Sequence, residues 1–140
     1  MQEENKSHDL ENRLIDFAVQ IIKLAETLPK TRAGNHIAGQ LIRCGTSPAA
    51  NYGEAQSAES RTDFIHKMRI CLKELRETRV WLCLVEKMNI PKLQSKPDAL
   101  LDENNQLISI FVTSIKTANS KKATGRFDLG VAILYERDST

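Results

Sequence analysis

Three histidines and three cysteines are the side chains with which this sequence could bind a metal or build a nucleophile, and their spacing argues against both. His8, His36 and His66 are far apart. None of them lies three residues after a glutamate, so the Glu-x-x-His pairs that hold di-metal sites in helical bundles are missing. Cys44, Cys71 and Cys83 are odd in number, form no Cys-x-x-Cys pair and sit among apolar residues, which reads as reduced, buried thiols in a cytosol. No GxGxxG, GxxxxGK[ST] or GxSxG occurs. The sequence therefore predicts no catalytic residue, no metal and no cofactor, in a protein that is not an enzyme.

The chemistry left over is cationic. Arg69, Lys73, Arg76 and Lys87 fall within a narrow arc when residues 61–87 are wound as a helix, with Arg61 and Lys67 close by. That segment holds seven basic and four acidic side chains, a local +3, whereas residues 1–28 hold three basic and six acidic, a local −3. Such a row is either a solvated face laced with pairs like Lys73–Glu77 or a contact for phosphate groups. Repetition around an oligomer would favour the second role by pooling the charge. Arg61, Lys67, Arg69, Lys73 and Arg76 are the candidate nucleic-acid contacts. Lys121, Lys122 and Arg126 form a second cluster, which also fits cations placed at a helix C-terminus. Arg43, Asn51, Glu54, Glu74 and Arg79 are the expected polar network near the core. An arginine there needs a carboxylate, and Glu54 or Glu74 would serve Arg43 or Arg79, fixing helix register.

These residues need helices to present them. Leu10, Leu14, Phe17, Ile21, Leu24 and Leu28 recur every three or four positions, which predicts a helix from Asp9 to Pro29 after a disordered lead-in at residues 1–8. A second helix starts at Thr31 or Arg32, with Ile37, Leu41, Cys44, Tyr52 and Ala55 on its apolar side. Within it, GTSPAANYG allows two readings. Ser47 could cap a new helix with Pro48 at its first position, or one helix could kink at Pro48; the unbroken apolar spacing favours the kink. Ser60 caps a third helix running to Met88, roughly 40 Å long at about 1.5 Å per residue. The fourth runs from Pro97 or Asp98 to about Ala123, with Leu100, Leu101, Asn104, Leu107, Ile108, Phe111, Val112, Ile115 and Ala118 facing inward. Residues 125–140 form a tail whose apolar run Val131–Tyr135 is either an arm docking on a neighbour or a last helical turn. Residues 9–124 are thus expected to form an all-α, antiparallel up-down four-helix bundle.

The third helix has an apolar face too many. Phe64, Met68, Cys71, Leu75 and Leu82 point one way and make the core. Ile70, Val80, Trp81, Leu84 and Met88 point nearly the opposite way. Either neighbouring elements cover that second stripe, or copies of the chain associate through it; tryptophan is favoured at interfaces, so these five residues are the candidate oligomer interface.

Composition sets the frame. A chain of 140 residues is one domain that can bury its own core without disulfide or metal. Only 5% aromatics, 6 Gly and 4 Pro argue for helices over a β-sandwich. No window approaches the length of a membrane span, and the polar, acidic N-terminus does not read as a signal peptide, which leaves a soluble cytoplasmic protein with no membrane partner. A net charge of +2 does not by itself mark a nucleic-acid binder.

The words LPKTRAG, GTSPAANYGEA, ESRTDFIHK and CLKELRETRVW, spread over residues 10–88, resemble a bacterial family. Its members are the four-helix-bundle proteins encoded by intervening sequences of large-subunit ribosomal RNA genes, related to the accessory variability proteins of diversity-generating retroelements. The fourth helix matches in pattern alone. The resemblance implies a homopentameric barrel of up-down bundles and contact with RNA or DNA through a basic surface. It supplies no catalytic residue. The leading expectation is therefore a non-enzymatic oligomeric scaffold for structured RNA; the rival is an adaptor that recruits a protein partner and touches no nucleic acid.

Overall fold

The computed structural model describes residues 2–120. They form four long helices and one short 3-10 turn: α1 (Gln2–Glu26), α2 (Arg32–Gln56), α3 (Arg61–Met88), the turn Pro91–Leu93, and α4 (Lys96–Ser120). The tail at 125–140, with Val131–Tyr135 and the Lys121, Lys122, Arg126 cluster, lies outside the described residues.

Local chemistry explains where each helix starts and stops. α1 begins at Gln2, inside the segment set apart as a lead-in, because Gln2, Glu3, Glu4 and Lys6 are helix formers with no breaker among them. Pro29 closes it. Thr31 caps α2, its hydroxyl accepting the Gly34 N–H at 3.0 Å. The connection is so tight that a Cβ on Gly34 would lie 1.9 Å from the Pro29 carbonyl oxygen. Ser60 caps α3 by accepting the Asp63 N–H at 3.1 Å. Asn89 ends α3 in the left-handed region at φ 50°, which asparagine tolerates better than most residues.

α2 is one helix that passes through Pro48. Proline removes the donor for the Cys44 carbonyl and costs about 3 kcal/mol or more in a helix interior. Tertiary packing offsets it. Pro48 is buried, its carbonyl accepts the Cys71 thiol at 3.5 Å, and Asn51 donates to both the Ser47 carbonyl and hydroxyl at 3.1 and 2.9 Å.

The four helices pack in sequence, α1 on α2, α2 on α3 and α3 on α4, while α1 and α4 meet through a thinner seam. α1 and α3 therefore occupy opposite corners. Arg43 of α2 reaches Glu74 of α3, and Glu54, further along α2, reaches Lys67, earlier on α3, so these two helices run in opposite directions. The core is built from Leu14, Phe17, Ile21, Leu41, Tyr52, Phe64, Met68, Leu75, Leu82, Leu107 and Phe111, all fully enclosed. Tyr52 and Phe111 meet edge to face at 6.0 Å. Each such side chain contributes about 1.5–3 kcal/mol on burial, against about 1 kcal/mol or less for an exposed ion pair. The greasy face thus holds the bundle together, and the ion pairs adjust its register.

Candidate nucleic-acid interface

The sequence-predicted cations divide between structural and free roles. Lys67 reaches from α3 to Glu54 on α2 at 2.8 Å, and the hydrogen bond to that carboxylate, reinforced by its charge, raises the lysine pKa. It ties two helices together. Arg61, in the first turn of α3, is half-buried. Arg69, Lys73 and Arg76 are exposed, and among the described residues no carboxylate lies within ion-pair distance of them. The Lys73–Glu77 pair that helix spacing suggests is absent, because Glu77 turns instead to Arg43 of α2. The free row is therefore Arg69, Lys73 and Arg76, one turn apart on the outward face of α3.

The polar network forms only in part. Arg43 bonds Glu74 at 3.2 Å, bonds Glu77, and holds Gln40 at 3.0 Å. Partial desolvation lowers the Arg43 pKa, but the Glu77 and Glu74 carboxylates outweigh it and hold the pKa above its ordinary value. Glu54 serves Lys67, and Asn51 bonds within its own helix, so neither joins that cluster. Arg79, expected beside the core, is exposed. A bond the sequence did not disclose closes the thin seam: Arg13 of α1 grips Glu103 of α4 with two bonds of 2.7 and 2.8 Å and also reaches Gln106 at 2.7 Å. Arg13 and Glu103 are ninety positions apart, and no pattern within either helix couples them.

The second apolar stripe of α3 also divides. Trp81 is half-buried against its own core, stands edge-on to His36 at 5.7 Å, and donates its indole N–H to Glu77 at 3.3 Å. Ile70 is half-buried as well. Val80, Leu84 and Met88 stay exposed. A matching stripe that the sequence reading missed runs along α1, where Ile15, Val19 and Ile22 face solvent. Their spacing of four and three residues was legible, but it was overshadowed by the stronger core stripe beside it.

Among the described residues no cluster of three His, Cys, Asp or Glu side chains is arranged to hold a metal ion, and no helix is long and apolar enough to cross a membrane. What the described surface offers is exposed charge and exposed apolar side chains.

The model of the 23S rRNA-intervening sequence protein family matches residues 6–112. The chain belongs to this family. No curated protein matches it. A crystal structure of a protein with unknown function from the S23 ribosomal protein family of Bacteroides thetaiotaomicron VPI-5482 is similar in both sequence and shape. It is 32% identical, the alignment covers 77% of this chain and 99% of that one, and the TM-score is 0.70. The intervening-sequence family match ends inside α4, so the last part of α4 and the tail lie beyond the matched region.

Proposed function

We propose that this 23S rRNA-intervening sequence protein is a non-enzymatic, cytoplasmic homo-oligomeric scaffold, a pentamer by the resemblance, that binds structured RNA through phosphate contacts. The observation that carries the reading is the row Arg69, Lys73 and Arg76, exposed on one face of α3 and unpaired by any carboxylate of the described subunit. Three cations bind polyphosphate weakly; repeated around a closed ring they sum to a field that favours it. Arg61 and Lys67 flank the row. Lys67 contributes less, since it must leave Glu54 to meet a phosphate.

A filter-binding titration of structured RNA against salt tests this. Arg69→Glu with Lys73→Glu should keep its helicity, bind RNA more weakly, and lose about one unit of salt slope per lost phosphate contact. Unchanged affinity and slope would remove the row from the account. The net charge of +2 favours the rival, a protein-recruiting adaptor; in that case the wild-type protein itself shows no salt-dependent RNA retention.

A further inference from the structure

Every exposed large hydrophobic side chain among the described residues belongs to one of two stripes. Ile15, Val19 and Ile22 lie on α1, and Val80, Leu84 and Met88 lie on α3, each between 38 and 54% exposed. Scattered apolar residues on a surface need no explanation, but six gathered into two helical rows do. The rows are alike in length, about 10–12 Å at about 1.5 Å per residue. They sit at opposite corners of the bundle, so they cannot cover each other within one subunit.

Their charges are opposite. On a helical wheel Glu11 and Glu26 bracket the α1 row, one at each end. Among the described side chains Glu11 meets His8, at 3.6 Å, and no cation pairs with the Glu26 carboxylate. Arg76 and Lys87 lie together along one flank of the α3 row, both exposed and, among the described residues, without a carboxylate partner. The acidic side chain nearest that row, Glu77, is taken up by Arg43. At the scale of whole segments the contrast recurs, −3 for residues 1–28 and +3 for residues 61–87.

We propose that the acidic α1 row of one copy is the docking site for the basic α3 row of the next, a head-to-tail contact between unlike faces. The inference rests on the oligomeric reading above and specifies its interface. Ile15, Val19 and Ile22 pack on Val80, Leu84 and Met88, while Glu11 and Glu26 meet the cations beside the α3 row. Unlike faces at opposite corners propagate in one direction and stop when a ring closes. The contact uses the C-terminal half of α3. Arg69 and Lys73 in the N-terminal half stay outside the apolar contact, gathered towards one end of the assembly.

Two full-length variants test the pairing by light scattering. One carries Ile15→Glu and Val19→Glu, the other Val80→Glu and Leu84→Glu; all four positions are exposed, and circular dichroism checks that helicity is kept. Each alone should be monomeric. Mixed, they should form a one-to-one pair and no larger species, because each supplies the face the other lacks. A wild type that associates while the α1 variant associates equally well overturns the proposal and leaves the oligomer standing. So do two monomeric variants that fail to combine, since the intact α3 face of one then does not accept the intact α1 face of the other; a variant that still dimerises alone shows instead a face that pairs with itself and overturns the proposal equally. A monomeric wild type overturns both. Glu11→Lys with Glu26→Lys alters charge and leaves the apolar row intact; it should weaken association at least about tenfold at low salt, and an unchanged dissociation constant contradicts the charge pairing.

Discussion

Cys71 is enclosed between α2 and α3, and burial, the largest influence on it, pushes its thiol from an ordinary 9.0 up to about 12. A thiol whose folded pKa is raised stays neutral in the folded state while the unfolded chain ionises. Its contribution to stability is therefore complete below about pH 9 and is lost as pH rises towards 12. Thermal melts of the wild type should fall across that window, and Cys71→Ala, less stable at pH 7, should fall less steeply. Equal slopes would contradict the assignment. Burial raises Cys44 in the same direction. Since Cys83 alone is partly open, a thiol reagent at pH 8 should modify one cysteine of the folded protein quickly and the other two only on unfolding.

Asn104 is the other residue with a clear energetic consequence. It is fully buried on α4, its amide N–H donates to the Leu75 carbonyl at 3.0 Å, and its Oδ1 has no partner. An unsatisfied buried acceptor costs about 1–3 kcal/mol, while one neutral hydrogen bond returns about 1 kcal/mol. Asn104→Leu should therefore be neutral or stabilise the fold by about 1 kcal/mol, seen as a raised denaturant midpoint. A loss above about 2 kcal/mol would show that the amide fixes the α3–α4 register and that its loss lets the helices slip.

At the scale of the helices, the glycines of α2 separate packing from propensity. A Cβ on Gly39 would meet nothing, so Gly39→Ala should stabilise by about 0.5–1 kcal/mol through helix propensity alone. On Gly34 the added carbon would collide with the Pro29 backbone, and on Gly45 it would lie 2.6 Å from the buried Ile21 side chain. Overpacking of that kind costs about 1–3 kcal/mol and outweighs the propensity gain. Gly34→Ala and Gly45→Ala should lower the melting temperature, and a stabilised Gly34→Ala would contradict the tight α1–α2 turn.

The helices were legible for physical reasons. Apolar residues at three- and four-residue spacing named most core side chains, though not Ile65, Val85 or Ile110, and they set Leu101, Ile108 and Val112 deeper than their half-buried places; Thr31, Ser60 and Pro97 marked helix starts to within a residue. Periodicity describes one helix at a time, however. It could not assign Glu77 to Arg43 over Lys73, pair Arg13 with Glu103, or tell that Trp81 leans into its own bundle, because each of these depends on a neighbour distant in sequence.

Across the whole molecule a net +2 conceals two opposite ends of a charge gradient, an acidic corner at α1 and a basic corner at α3. A monomer with this surface would bind RNA feebly and leave two apolar rows in water. An assembly that buries the rows against each other removes that exposure and concentrates the unpaired cations. Both roles proposed for α3 thus depend on copies meeting. The most direct measurement is the molar mass of the full-length protein in solution across a range of concentrations. The account predicts one discrete species at a multiple of the 15.8 kDa subunit, five-fold if the pentamer holds; a single 15.8 kDa species at every concentration would contradict it.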